Sequence, residues 1–127
     1  MKKYLFPAFM ALFMACTATG DAQSKVVKPD AFESVLKDKS VQLIDVRTPG
    51  EYQSGHLEGA KNIDFYSKDF AQQMAKLDKN KTVAVYCAVG GRSASAVDKL
   101  KSLGFSKIYD LDGGIRGWSA SGKKTVQ

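Results

Sequence analysis

Apolar residues recur along this chain with two alternating periods, and that alternation predicts its elements. Short runs rich in β-branched residues stand at Lys25-Val26-Val27, Val41 to Val46, Ala60 to Asp64, Thr82 to Tyr86 and Lys107 to Leu111. Each has the length of a strand and is bounded by polar or turn-forming residues. Between them apolar residues fall at helical spacing: Phe32, Val35 and Leu36 within Pro29 to Lys37, Phe70, Met74 and Leu77 within Phe65 to Leu77, and a third set from about Ser93 to Leu103. Pro29 suits a helix start and Gly104 a helix stop. Pro49 and Gly50 are expected to break the chain after the second strand, leaving Glu51 to Gly59 irregular, and Asp78 to Lys81 reads as a charged turn. Gly113-Gly114 precedes a short terminal segment whose Trp118 is expected to pack.

Strands alternating with helices predict an α/β fold with a mainly parallel sheet covered by helices. Ligands of such sheets bind beyond the C-terminal ends of the strands. Asp45 with Arg47 and Cys87 all fall at such ends. No internal repeat, low-complexity block or interdomain linker interrupts the pattern.

The first residues obey neither period. Met1 to Lys3 is basic and Tyr4 to Ala15 is almost uninterrupted apolar sequence, closed by small and polar residues. A membrane-spanning helix needs about 20 apolar residues, so this segment reads as a secretory signal. Two processing routes fit it. Leu12-Phe13-Met14-Ala15-Cys16 resembles a lipoprotein box, with residues 1–15 removed, Cys16 lipidated, and Phe13 departing from the usual aliphatic choice. Cleavage after Gly20-Asp21-Ala22 instead removes 1–22 and leaves 23–127 as one domain of about 105 residues. The expected location is the periplasm, with membrane contact only through a lipid anchor.

The formal charge of +6 owes part of its excess to Lys2 and Lys3 of the leader. The remaining lysines are scattered among acids, with no basic helix, aromatic ladder or zinc-finger spacing. That composition argues against a nucleic-acid partner and leaves a modest attraction for small anions. A single histidine, His56, excludes a histidine metal cluster and points to a structural role in its loop. Neither a metal nor a cofactor is expected.

Candidate chemistry centres on Cys87. It ends a strand and opens the loop Ala88-Val89-Gly90-Gly91-Arg92-Ser93 before a helix. Backbone N–H groups and the helix dipole at such a turn stabilise a thiolate and any anion attached to it. The only other cysteine is Cys16, discarded or lipidated on export, so Cys87 is expected to be a free thiol in an oxidising compartment. Arg92 either binds an anionic donor or braces the loop, and Ser93 is a candidate helix cap.

Four segments in order resemble the rhodanese sulfurtransferase family. They are Leu43-Ile44-Asp45-Val46-Arg47 with Glu51-Tyr52, Gly55-His56-Leu57-Glu58-Gly59-Ala60-Lys61-Asn62-Ile63, Tyr86-Cys87 through Ser93, and Gly113-Gly114-Ile115-Arg116-Gly117-Trp118. The resemblance implies a single rhodanese-like domain, a five-stranded mainly parallel sheet with helices on both faces. It also implies that Cys87 takes a sulfane sulfur from a small anionic donor such as thiosulfate and passes it to a thiol or cyanide acceptor. Ala88 to Ser93 would bind the sulfur, with loop N–H groups from Ala88 to Arg92 cradling it. Asp45 steadies that loop, pairs with an arginine or closes its own strand-end turn, with Arg47 beside it, and the protein is expected to be a monomer.

Two features refine the expectation. Thiosulfate-using relatives often carry a positive or polar residue after the cysteine, where this chain has Ala88 and Val89, so a dianionic donor is drawn less strongly. Cysteine phosphatases and arsenate reductases also set a thiolate in an anion-binding loop, but they place five residues between cysteine and arginine. Cys87 and Arg92 have four between them, a ring better sized for sulfur than for phosphate. An exported sulfur carrier that does not turn over free donors shares every motif and stays open.

Overall fold

The computed structural model describes residues 23–127, so the leader and the alternative of lipidation at Cys16 lie outside the described residues. Five strands form one parallel sheet in the order β1-β5-β4-β2-β3. They are β1 (Gln23–Val27), β2 (Gln42–Asp45), β3 (Lys61–Asn62), β4 (Val83–Tyr86) and β5 (Lys107–Leu111). The helices are α1 (Pro29–Val35), α2 (Pro49–Gln53), α3 (Phe70–Ala75), α4 (Gly91–Ser102) and α5 (Gly114–Ala120).

The central position of β4 follows from its sequence. All four of its residues are buried, and a strand with no polar face must be covered on both sides. Alternate side chains accordingly feed two cores. On one face Val83, Val85 and Cys87 join Ile44, Val46 and Ile108 beneath Phe70 and Met74 of α3 and Ala96, Val97 and Leu100 of α4. On the other Ala84 and Tyr86 join Leu43 and Leu111 beneath Phe32 of α1, Leu57 and Trp118. Trp118 packs as expected, edge-on to Phe32 with ring centroids 6.3 Å apart.

Three local expectations need correction. Pro49 and Gly50 do not break the chain into an irregular stretch; they open α2, with Pro49 in its first turn. Thr48 caps it by accepting from the Glu51 N–H while the Glu51 side chain accepts from the Thr48 N–H, a reciprocal capping box. The helix predicted from Phe65 starts only at Phe70, because the Asp64 side chain accepts the Tyr66 N–H at 2.9 Å and the Asp69 side chain accepts the Ser67 hydroxyl, holding the preceding residues in turns. Finally, α4 begins at Gly91 with Gly90 as its N-cap, so Ser93 is not the cap but lies inside the first turn.

The terminal Gly-Gly segment forms α5, whose start is pressed onto the loop after β4. Ile115 N–H donates to the Cys87 carbonyl at 2.9 Å and Arg116 N–H to the Ala88 carbonyl at 3.2 Å. Only glycine permits this approach. A Cβ on Gly114 would stand 2.5 Å from the carbonyl oxygens of Cys87 and Ala88, and its φ of +57° disfavours any side chain. Gly114→Ala is therefore expected to cost about 3 kcal/mol through overpacking and backbone strain. Urea denaturation measures it, and a loss below about 1 kcal/mol would show that α5 moves freely off the loop.

Candidate active site

Cys87 follows β4 directly and is 1% exposed. Its sulfur accepts the Gly90 N–H at 3.0 Å, and its thiol donates to Ser93 Oγ at 3.4 Å. Gly90 turns its amide back onto the sulfur with a φ of +130°, which an L side chain rarely adopts. Ser93, fully buried, also donates from Oγ to the Gly90 carbonyl at 3.1 Å. The 12-residue α4 thus starts at the sulfur. The N–H groups of Gly91, Arg92 and Ser93 in its first turn have no intrahelical acceptor and supply, with the dipole, a positive surface for an anion.

The sulfur is covered on several sides. Ala88 and Gly90 are half-buried, whereas Gly91 and Val89 are exposed, Val89 by 59%. Beside them Tyr66 is 67% exposed, with the Arg92 guanidinium 5.8 Å from its ring centroid. The rim of the site is therefore apolar and aromatic.

Arg92 does not stand free at this rim. Its guanidinium forks onto Glu51, Nη1 to Oε1 at 2.7 Å and Nη2 to Oε2 at 2.9 Å, tying α4 to α2. Of the two roles open to Arg92, the geometry shows the brace. The Arg92 hydrogen bonds hold the Glu51 carboxyl down at about 2, although partial burial opposes them. Glu51 in turn pushes the guanidinium further up.

Asp45 and Arg47 form a second, buried pair on the other side of the sheet. Arg47 Nη2 lies 2.6 Å from Asp45 Oδ2 and donates to the Gly55 carbonyl at 2.7 Å. Asp45 Oδ1 also accepts the Arg47 N–H at 2.9 Å, closing the turn after β2. Asp45 thus combines two of its expected roles, pairing with arginine and closing a turn. Among the described residues neither side chain bonds the Cys87 loop. Their connection to it runs through Tyr86, whose ring lies 5.7 Å from the Arg47 guanidinium and whose hydroxyl accepts the Leu57 N–H at 3.0 Å. Burial, aided by Asp45, pushes that phenol well above its ordinary range.

His56 stacks on Tyr52 with centroids 3.7 Å apart and exchanges backbone hydrogen bonds with Val126 at 2.9 and 2.8 Å. It clasps the end of the chain. Among the described residues no group of three His, Cys, Asp or Glu side chains converges to hold a metal, and no helix is long and apolar enough to cross a membrane. A groove of about 770 Å³ lies between α1, residues 57–59 and α5, lined in part by Lys37, Lys39, Lys123 and Lys124, but no residue of the Cys87 loop lines it.

Sequence patterning missed two residues near the thiol. Glu51 was signalled by the Thr48-Pro49-Gly50-Glu51 capping pattern, although its reach to Arg92 was not. Asp110 is a charge in the otherwise apolar run Ile108-Tyr109-Asp110-Leu111; it is 5% exposed, and burial pushes its carboxyl up to about 6.

The Glu51–Arg92 pair makes stability depend on acid. Because the Glu51 carboxyl is lower in the fold than its ordinary 4.5, its contribution is complete above about pH 4.5 and disappears as pH falls toward 2. Both groups are partly exposed, so screening limits the contribution to about 1 kcal/mol. Glu51→Gln should lose that amount at pH 7 and flatten the fall between pH 4.5 and 2, as measured by urea denaturation. Parallel acid curves for variant and wild type would contradict the pairing.

A profile of the rhodanese-like domain matches residues 28–121. The chain is 32% identical over 114 residues to the uncharacterised protein YqhL of Bacillus subtilis, covering 90% of this chain and 87% of that one. It is 34% identical over 97 residues to the thiosulfate sulfurtransferase GlpE of Pseudomonas savastanoi, covering 76% and 89% respectively. A 38% match over 107 residues to the probable adenylyltransferase/sulfurtransferase MoeZ of Mycobacterium tuberculosis covers 84% of this chain but only 27% of that longer protein. Among solved structures, a rhodanese-related protein from Thermoplasma volcanium superposes with a TM-score of 0.71 at 31% identity, covering 80% of this chain and 97% of the other. With the same parallel sheet and a buried cysteine before α4, the chain belongs to the rhodanese-like domain family.

Proposed function

We propose that this protein is a sulfurtransferase that carries sulfane sulfur as a persulfide on Cys87. The observation that supports this most directly is the cradle at Cys87, where the Gly90 N–H meets the sulfur at 3.0 Å and α4 begins immediately beyond. The Cys87 thiolate attacks the outer sulfur of a donor. A new S–S bond forms at Sγ while the donor's own bond to that sulfur breaks, and the leaving group departs with the bonding electrons. The first-turn N–H groups offset the charge on the terminal sulfur. A second nucleophile, a thiol or cyanide, then takes the outer sulfur and returns the thiolate.

The rim favours a less charged organic persulfide donor over thiosulfate. Ala88 and Val89 bring no charge, and the one arginine of the loop is neutralised by Glu51. A dianion gains little there, whereas exposed Val89 and Tyr66 suit a less charged donor. The same proposal includes export through residues 1–22, or anchoring at Cys16, and a monomeric protein that hands sulfur outward. Fatty-acid labelling distinguishes the two export routes.

Mass measurement of the intact protein after incubation with polysulfide should show a gain of one sulfur atom, absent in Cys87→Ser. No uptake from either polysulfide or thiosulfate sinks the proposal. Release of the sulfur to cyanide or thiols with repeated turnover marks a catalyst, and a single release marks a carrier. Glu51→Gln, by freeing Arg92, should speed loading from thiosulfate by about tenfold relative to a neutral organic persulfide donor such as an alkyl persulfide. An unchanged ratio would show that the ion pair does not set donor preference.

A further inference from the structure

Lysines that lie scattered along the chain are gathered by the fold at one end of the sheet. The strands are all parallel, so their N-terminal ends lie together, and Cys87 stands at the opposite end, beyond the four residues or about 13 Å of β4. Lys37 and Lys39 lie in the turn that leads into β2, and Lys79 and Lys81 in the turn that leads into β4. Lys101 is in the last turn of α4 and Lys107 opens β5; all six side chains are exposed. These segments form one surface, because the Gln42 side chain bonds the Asp78 carbonyl and N–H at 2.9 and 2.8 Å and the Lys79 stem passes beside Gly104. The turns also carry Asp38 and Asp78, each engaged locally: Asp38 Oδ1 accepts the Ser40 N–H at 2.9 Å and its hydroxyl at 2.7 Å, and Asp78 Oδ1 accepts the Asn80 N–H at 2.9 Å. None of these lysines forms an ion pair among the described residues, whereas at the Cys87 end Arg47 is paired with Asp45 and Arg92 with Glu51.

The exposed large apolar side chains among the described residues are Val26, Tyr66, Val89 and Val126, and none stands in these turns. A broad cationic face without an apolar wedge matches an extended anionic surface, where each nearby lysine contributes about fivefold in affinity. Nucleic acid also presents phosphates, but among the described residues no arginine or exposed aromatic side chain accompanies these lysines to stack on bases or read them. The chain itself enters on this side: Gln23, to which residues 1–22 are joined, begins β1 here and donates its N–H to the Ser106 carbonyl at 2.8 Å. We propose that the lysine face docks on an anionic phospholipid bilayer and leaves the Cys87 loop pointing away from the membrane into the aqueous phase. Either export route is compatible with this orientation. An anchor at Cys16 would be tied to the docked side, within about 25 Å of Gln23 along the chain, and a protein cleaved after Ala22 would bind by charge alone.

The test is amide hydrogen exchange of the protein as recovered from cells, on vesicles of phosphatidylcholine alone and of phosphatidylcholine and phosphatidylglycerol in equal parts. At low ionic strength the anionic vesicles should slow exchange in residues 37–41, 78–82 and 104–107 by about fivefold or more relative to the neutral ones, and leave 88–92 unchanged. An acyl anchor inserts into both kinds of vesicle, so the difference between them reports on the lysine face. Salt at about 1 M, which shortens the screening length to about 3 Å, should abolish that difference. The double variant Lys79→Glu, Lys81→Glu, altered only in an exposed turn, should lose the protection and keep wild-type sulfur uptake at Cys87. The wild-type contrast stands without the variant. Equal exchange on the two vesicles, protection centred on the Cys87 loop, or protection insensitive to salt overturns the proposal. Protection of the same turns by duplex DNA but not by vesicles assigns them to nucleic acid and overturns it as well. Failed sulfur uptake with intact lipid-dependent protection sinks the sulfurtransferase reading alone.

Discussion

The hydrogen bond from Gly90 N–H to the Cys87 sulfur is the contact on which the site depends. It requires a backbone that reverses within three residues of the end of β4, and the glycine supplies the positive φ that does so. Everything around it limits how that turn can relax. The start of α5 holds the carbonyls of Cys87 and Ala88, and the lack of a side chain at Gly114 lets it come close enough. From the other side, Glu51 of α2 anchors Arg92 in the first turn of α4. The loop is therefore fixed by its neighbours, with few contacts of its own.

That fixation has a chemical consequence. A sulfur anion in water is stabilised by solvent that must reorganise; here the Gly90 N–H is already aimed at the sulfur and a helix starts beside it. Glu51 occupies the Arg92 guanidinium, and in the proposed reaction donor binding would rest on backbone dipoles and an apolar rim. On that proposal charge selection and anion stabilisation are separated: Arg92 serves architecture and the peptide groups serve chemistry.

Much of this was legible in the sequence. A β-branched run into Cys87 and a glycine loop before an amphipathic helix identify the thiol and its helix terminus, because both signals are local. The four motifs identify the family for the same reason. What escaped depends on pairing across the fold. Pro49-Gly50 reads as a breaker unless Thr48 and Glu51 are read together as a capping box, and nothing local says that Glu51 reaches Arg92, 41 positions away. Ser93 has the composition of a cap but lies one turn too deep, where its hydroxyl meets the thiol instead. Asp110 is an isolated charge in a strand, and only the parallel register beside β4 puts it on the face of Cys87.

The most direct test of the cradle is the crystal structure of the protein after exposure to polysulfide. The account predicts one additional sulfur about 2.05 Å from Cys87 Sγ, within hydrogen-bonding distance of at least two amide nitrogens between Val89 and Arg92. A persulfide turned away from those amides, or sulfur added elsewhere with Cys87 unmodified, would contradict it.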